Sequence, residues 1–198
     1  MTDFPAGLLR AAELFDQTYR DTAVYFLAGP LQGEVWLGTT GMWRTPDGLE
    51  VFRCGDNPTL QAAIVASVDG RIGSSCAFEF TPLFDSVELL LANAAAWNRV
   101  RDWRYVATGD LPVEAALVVL DELTVDPSAS GELTTWWISP DLVVTAQRWV
   151  NGGRGPAPHV SVLARTESAF AEARRRLTHA AVEPHVFTAA DIHGTPGG

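Results

Sequence analysis

Cys54 is the sharpest catalytic hint in the sequence. It follows an expected strand, Leu49–Arg53, and stands just before Asn57-Pro58. That pair reads as a helix start, because Asn is a good N-cap and Pro suits the first helical position. A thiol near a helix N-terminus has its pKa lowered and becomes a nucleophilic thiolate more readily. Asp56 works the other way, no histidine lies nearby in sequence, and cysteine is among the most buried residue types, so a core role competes. Cys76 falls inside an expected strand and is expected to be core.

Other constellations are weaker. The four histidines are His159, His179, His185 and His193. The last three are spaced by six and eight residues, which matches no standard ligand pair, and the two cysteines lack Cys-x-x-Cys spacing. No metal site and no cofactor are expected. Gly73-Ser74-Ser75-Cys76-Ala77 lacks the last glycine of a nucleophile elbow. Asn151-Gly152-Gly153-Arg154-Gly155 could offer N–H groups to an anion, but a strand follows it rather than a helix. Asp121-Glu122 are adjacent and so point in different directions, which argues against an acid–base pair.

Binding chemistry is better represented. The chain has seven tryptophans. On a strand, Trp136 and Trp137 face opposite sides of the sheet. In the next strand Val143, Thr145, Gln147 and Trp149 share one face, and Arg148 lies on the other. Thr145, Gln147 and Trp149 are polar enough to be exposed or to line a cavity. The expected binding residues are therefore Trp149, Gln147, Thr145, Trp137, Trp136 and Arg148, serving a protein contact or a small ligand. A core role for all seven tryptophans is the plainer alternative.

Composition removes whole classes of function. The chain has 198 residues, all 14 of its basic residues are arginine, and the net charge is −10. Without lysine there is no Schiff-base catalyst, no pyridoxal-phosphate anchor and no complete Walker A loop. Scattered arginines on an acidic chain argue against nucleic acid, and the same charge is repelled by anionic lipid. A basic protein is the expected partner. No apolar run is long enough to span a membrane, no basic n-region precedes an apolar stretch, and two cysteines are too few for a disulfide framework. A cytoplasmic location is expected.

These residues need elements to hold them. A helix over 5–20 places Leu8, Ala12, Phe15 and Tyr19 on one face, with Asp16 and Arg20 at i,i+4. Strands at 22–28, 34–39 and 49–53 follow, with a turn at Thr45-Pro46-Asp47-Gly48. A helix is expected from Asn57 with Leu60, Ile64 and Val68 inward, stopped by Asp69-Gly70. Ser75–Phe80 reads as a strand, and Thr81-Pro82 opens a helix to about Asn98. Asp102–Ala107 reads as a strand, and 112–123 leans to helix. Leu133–Ile138 and Leu142–Val150 form a hairpin across Ser139-Pro140-Asp141. His159–Ala164 is a strand, Thr166 caps a helix carrying the Glu172–Arg176 pair, and His185–Thr188 is a short strand.

The whole is an α+β fold, a mostly antiparallel sheet with helices packed on one face. It reads as a single domain over 1–198, with a sub-division at 1–126 and 132–193 and a linker at 126–131. Two functions are expected. The first is a non-catalytic binding protein that holds a basic partner as an inhibitor, immunity-type protein or adaptor. The alternative is a small-molecule enzyme or ligand-binding domain with a pocket between sheet and helices.

Overall fold

The structure, a computed structural model, describes residues 4–26, 31–58, 62–109, 117, 120, 123–147 and 159–179. The chain adopts an α+β fold, with its strands divided between two antiparallel sheets rather than gathered in one. It separates into two compact units. Unit 1 is Met1–Asn98 with Gly131–Leu133, and unit 2 is Arg99–Ser130 with Thr134–Gly198.

Unit 1 opens with α1 (Ala6–Tyr19), which buries Leu8, Ala12 and Phe15 on the expected stripe. Pro5 precedes it, and the N–H groups of Leu8 and Leu9 donate to the Pro5 carbonyl. The helix ends at Tyr19, and just beyond it Asp21 takes the left-handed region at φ 63°, a conformation Asp tolerates better than most residues. Its last turn is tied to the sheet: the Thr39 N–H donates to Asp16 Oδ1 at 3.0 Å.

Six strands follow in a meander, β1 (Ala23–Phe26), β2 (Gly33–Arg44), β3 (Glu50–Asp56), β4 (Ala63–Ser67), β5 (Ile72–Cys76) and β6 (Glu79–Phe84). Each pairs with its sequence neighbours in that order. The β2–β3 and β4–β5 turns use the same chemistry, Thr45-Pro46-Asp47-Gly48 and Ser67-Val68-Asp69-Gly70. In each the glycine is left-handed (φ 89° and 88°) and donates its N–H to the carbonyl of the Thr or Ser three residues back, at 2.9 Å. A left-handed glycine after a tight turn is a standard bulged hairpin loop.

The expected helix from Asn57 is therefore replaced by β4. Ile64 and Val65 are β-branched and suit a strand buried between β3 and β5. The buried side chain of Asn57 donates its amide N–H groups to the carbonyls of Leu31 and Gln32, both at 3.1 Å, and so ties this turn to an earlier stretch of chain. The expected strand over 75–80 is broken at Ala77 and Phe78, both left-handed (φ 50° and 69°), which turn the chain from β5 into β6. Thr81-Pro82 lies within β6 rather than opening a helix, and proline is tolerated there because β6 is an edge strand. The helix α2 (Val87–Arg99) starts after Ser86, whose hydroxyl accepts the Leu89 N–H at 3.3 Å.

Unit 2 holds the second sheet, ordered β7 (Arg104–Gly109), β11 (His159–Ala164), β10 (Leu142–Gln147), β9 (Thr134–Ile138), β8 (Thr124–Val125). The β9–β10 reversal at Ser139–Leu142 is as expected, with the Ser139 N–H donating to the Leu142 carbonyl. One face, with Val144, Ala146, Val160, Val162 and Ala164, packs with Ala173 and Leu177 of α3 (Glu167–His179). Thr166 caps α3, accepting the Ala169 N–H at 3.2 Å. Residues 126–131, expected as linker, begin as a tied turn. Asp126 accepts the Ser128 N–H at 2.9 Å, and the Trp136 N–H donates to the Ser130 hydroxyl at 2.9 Å. The helix expected over 112–123 falls largely outside the described residues, and the strand at 185–188 wholly so.

Gly73 is where unit 1 leaves least room. A Cβ there would drive into the Thr81 carbonyl oxygen and lie 2.9 Å from Pro82 Cα, both backbone atoms of the paired strand. Gly73→Ala should destabilise the protein by roughly 1–3 kcal/mol. Urea unfolding measures it, and an unchanged midpoint would refute this close approach.

Candidate functional site

A concave surface of unit 1 runs beside α1 and has a volume of about 440 Å³. Its wall is the α1 row Ala11, Leu14 and Thr18, at helical spacing of three and four. Phe15 turns inward below that row and meets Phe52 edge-on, with ring centroids 5.7 Å apart. Phe52, Ala66 and Ile72, from β3, β4 and β5, line it from the sheet. Leu14 is 62 % exposed and Val68 50 %, so two apolar side chains stand in water at its rim.

The rim is also acidic. Asp69, Asp85 and Glu88 line it, and among the described residues no arginine or histidine does. Asp69 is held by the Ser67 hydroxyl and by Arg71, whose Nε donates at 2.7 Å. Burial opposes its ionisation, but these partners hold its carboxyl below the usual range. Asp85 accepts the Glu132 N–H at 2.7 Å and stays fixed at the entrance to α2. Glu88 lies in the first turn of α2, where the helix dipole favours a carboxylate.

The binding residues expected from the sequence are placed differently. Thr145, Gln147 and Trp136 share one face of the second sheet, with Thr145 directly across from Trp136. All three are buried, as are Ser161 and Thr134 beside them. Trp137 is on the opposite face and packs against the Val144–Leu177 core. Trp149 and Arg148 lie outside the described residues, as does the glycine loop at 151–155. The row Trp136–Thr145–Ser161 is thus interior rather than a surface a partner can reach.

The cysteines change places. Cys54 is buried in β3, among the described residues no helix begins beside it, and burial pushes its thiol far up, away from reactivity. Cys76, expected in the core, is exposed at the end of β5. Ser74 is buried inside β5, so no nucleophile elbow exists there. Among the described residues no group of three or more His, Cys, Asp or Glu is placed to hold a metal, and no helix is long and apolar enough to cross a membrane.

Unit 2 has a smaller hollow of about 330 Å³ between the β9–β10 reversal and α3, lined by Ser139, Asp141, Glu172 and Arg176 among others. Glu172 accepts from Arg175 Nε at 2.9 Å and from Arg176 Nε at 2.7 Å. The two guanidiniums, Arg175 first, pull its carboxyl down to about 2. No protein-family model, no curated protein and no solved structure matches the chain.

The groove was missed in the sequence because it joins residues from four separate stretches. One signal was available. Leu9 and Leu14 fall off the buried stripe of α1, and a helix needs no leucine on its solvent side.

Two measurements check these assignments. A thiol reagent added to the folded protein should titrate Cys76 alone, with Cys54 reacting only on unfolding. Two fast equivalents would show that the β3 core is open. Glu172 should titrate near 2 in the native protein and return to about 4.3 in Arg175→Ala/Arg176→Ala, read from its carboxyl carbon shift. A folded value below the unfolded one stabilises the native state above the unfolded pKa. That contribution disappears as pH falls from about 4.3 towards 2.

Proposed function

We propose that the protein is a non-catalytic binding protein whose α1 groove holds a basic, amphipathic segment of a protein partner, in an inhibitor, immunity-type or adaptor role. The observation that carries this is the groove's lining: an apolar floor, exposed Leu14 and Val68 at its edge, and the carboxylates of Asp85 and Glu88, which no arginine pairs among the described residues, next to an Asp69 already paired with Arg71. Apolar side chains of the partner would cover Leu14 and Val68, and its cations would face Asp85 and Glu88. Burying one leucine-sized side chain is worth about 1.5–3 kcal/mol, while the carboxylates mainly speed encounter and select sign. The net charge of −10 extends that selection to longer range. Two free thiols suit a reducing compartment, and we place the protein in the cytoplasm.

The test is fluorescence anisotropy with a short amphipathic peptide of Arg and Leu, against the same peptide with Glu for Arg. Binding of the first should weaken with salt, mainly through the association rate. Leu14→Asp separates docking from attraction. It adds a negative charge, so a purely electrostatic association would tighten, whereas loss of the apolar contact should weaken binding about tenfold or more. Equal or tighter binding by Leu14→Asp, or equal binding of the acidic peptide, would sink the proposal.

A further inference from the structure

We propose that the outer face of the first sheet, where Tyr25 and Trp36 stand beside the Glu34 carboxylate, is a stacking platform for an arginine guanidinium of a protein partner. The proposal rests on the partner being basic, as proposed above, but none of these residues lines the groove.

The placement follows from register. Along β2, Val35 and Leu37 are buried, so Glu34 and Trp36 face outward. Tyr25 on β1 lies directly across from Glu34, and Ala23 directly across from Trp36. Tyr25 and Trp36 are therefore diagonal neighbours on one face, within reach of each other's rings. On the far side of Trp36, Asp56 of β3 is its direct cross-strand partner. The two aromatic residues are 45 % and 47 % exposed, which is unusual for side chains of their size.

The chemistry of the platform narrows its ligand. The Trp36 indole N–H donates to Glu34 Oε2 at 3.0 Å. That bond orients the ring and uses the only hydrogen-bond donor the indole has. What remains outward is two π faces, the free lone pairs of Glu34 and one tyrosine hydroxyl. A sugar needs donors as well as acceptors around it, and among the described residues the tyrosine hydroxyl is the one donor beside the rings not already held in an ion pair, since Arg53 is engaged with Asp56. An apolar ligand would desolvate Glu34 without a partner, which is costly. A cation is satisfied by ring faces and carboxylate oxygens alone.

The shape then chooses among cations. The rings lie on one open sheet face, whereas quaternary ammonium groups are held in enclosed aromatic cages. A guanidinium is planar, stacks on a ring face and still donates N–H groups from its edge. The chain's own Arg53 already pairs with the Asp56 carboxylate beside Trp36. Asp56 is thereby neutralised locally, and Glu34 is the carboxylate left for an incoming arginine.

The experiment follows the Trp36 indole N–H in proton–nitrogen spectra of the full chain, identified by its loss in Trp36→Phe. The probes are a Gly–Arg repeat peptide, its lysine and citrulline versions, and methyl glucoside. The arginine peptide should shift the resonance saturably. The lysine version should bind about three- to fivefold more weakly, citrulline and the sugar should do nothing, and Glu34→Gln should weaken the arginine peptide several-fold. Equal shifts from arginine and citrulline, a saturable shift from the sugar, or a response matched by sodium chloride would overturn the platform. The two sites fail separately. Leu14→Asp should leave this titration unchanged, and a flat indole response with intact groove binding would remove the platform alone.

Discussion

Hydrogen-bonded pairing between sequence neighbours governs unit 1. Every strand from β1 to β6 pairs only with the strands before and after it. Such a meander forms from local contacts and leaves side chains no freedom of direction, because the two-residue period assigns each to one face. Val35 and Leu37 of β2 go to the interior by that rule. Glu34, Trp36 and Tyr25 go outside by the same rule. The core and the aromatic platform are thus two consequences of one register, and a slip of a single residue would exchange them.

The absence of lysine gives the electrostatics a particular character. Cations here are planar guanidiniums, and many of them are already engaged: Arg20 with Asp16, Arg44 with Glu50, Arg53 with Asp56, Arg71 with Asp69, and both Arg175 and Arg176 with Glu172. Exposed pairs of this kind add little stability individually. Their larger effect is to sort the carboxylates. Those already paired are locally neutral, and the surplus acids supply the field a partner meets. Asp85 has only a backbone donor, so its charge stays available at the groove mouth.

Much of this fold could be read from the sequence, and the exceptions have physical causes. The α1 stripe, the Thr166 cap and the Ser139 reversal depend on neighbours in the chain, and all were legible. Thr45-Pro46-Asp47-Gly48 was legible as a turn, whereas Ser67-Val68-Asp69-Gly70, which builds the same loop, was read as a helix stop. The difference was Asn57-Pro58 upstream, whose helix-start chemistry is followed by β4 from Ala63. Asn57 spends its amide on Leu31 and Gln32, twenty-six and twenty-five residues earlier, and no local pattern reveals that. The groove was hidden for the same reason: Leu14, Phe52, Val68 and Glu88 meet only after the meander has folded. Thr145 and Gln147 were polar enough to suggest a surface, yet polarity along a strand does not say whether its face is covered.

The three residues Gly131–Leu133 carry a different kind of consequence. They belong to unit 1 although the chain on both sides of them belongs to unit 2. Their attachment is specific: the Glu132 N–H reaches Asp85, and Gly131 lies against the side-chain ends of Asp85 and Leu89. No single cut in the gene can therefore release both units whole. A cassette ending at Asn98 would encode all six strands of the first sheet but not the strap that fastens the start of α2. A fragment meant to hold unit 1 whole would have to carry Gly131–Leu133 as well as Met1–Asn98.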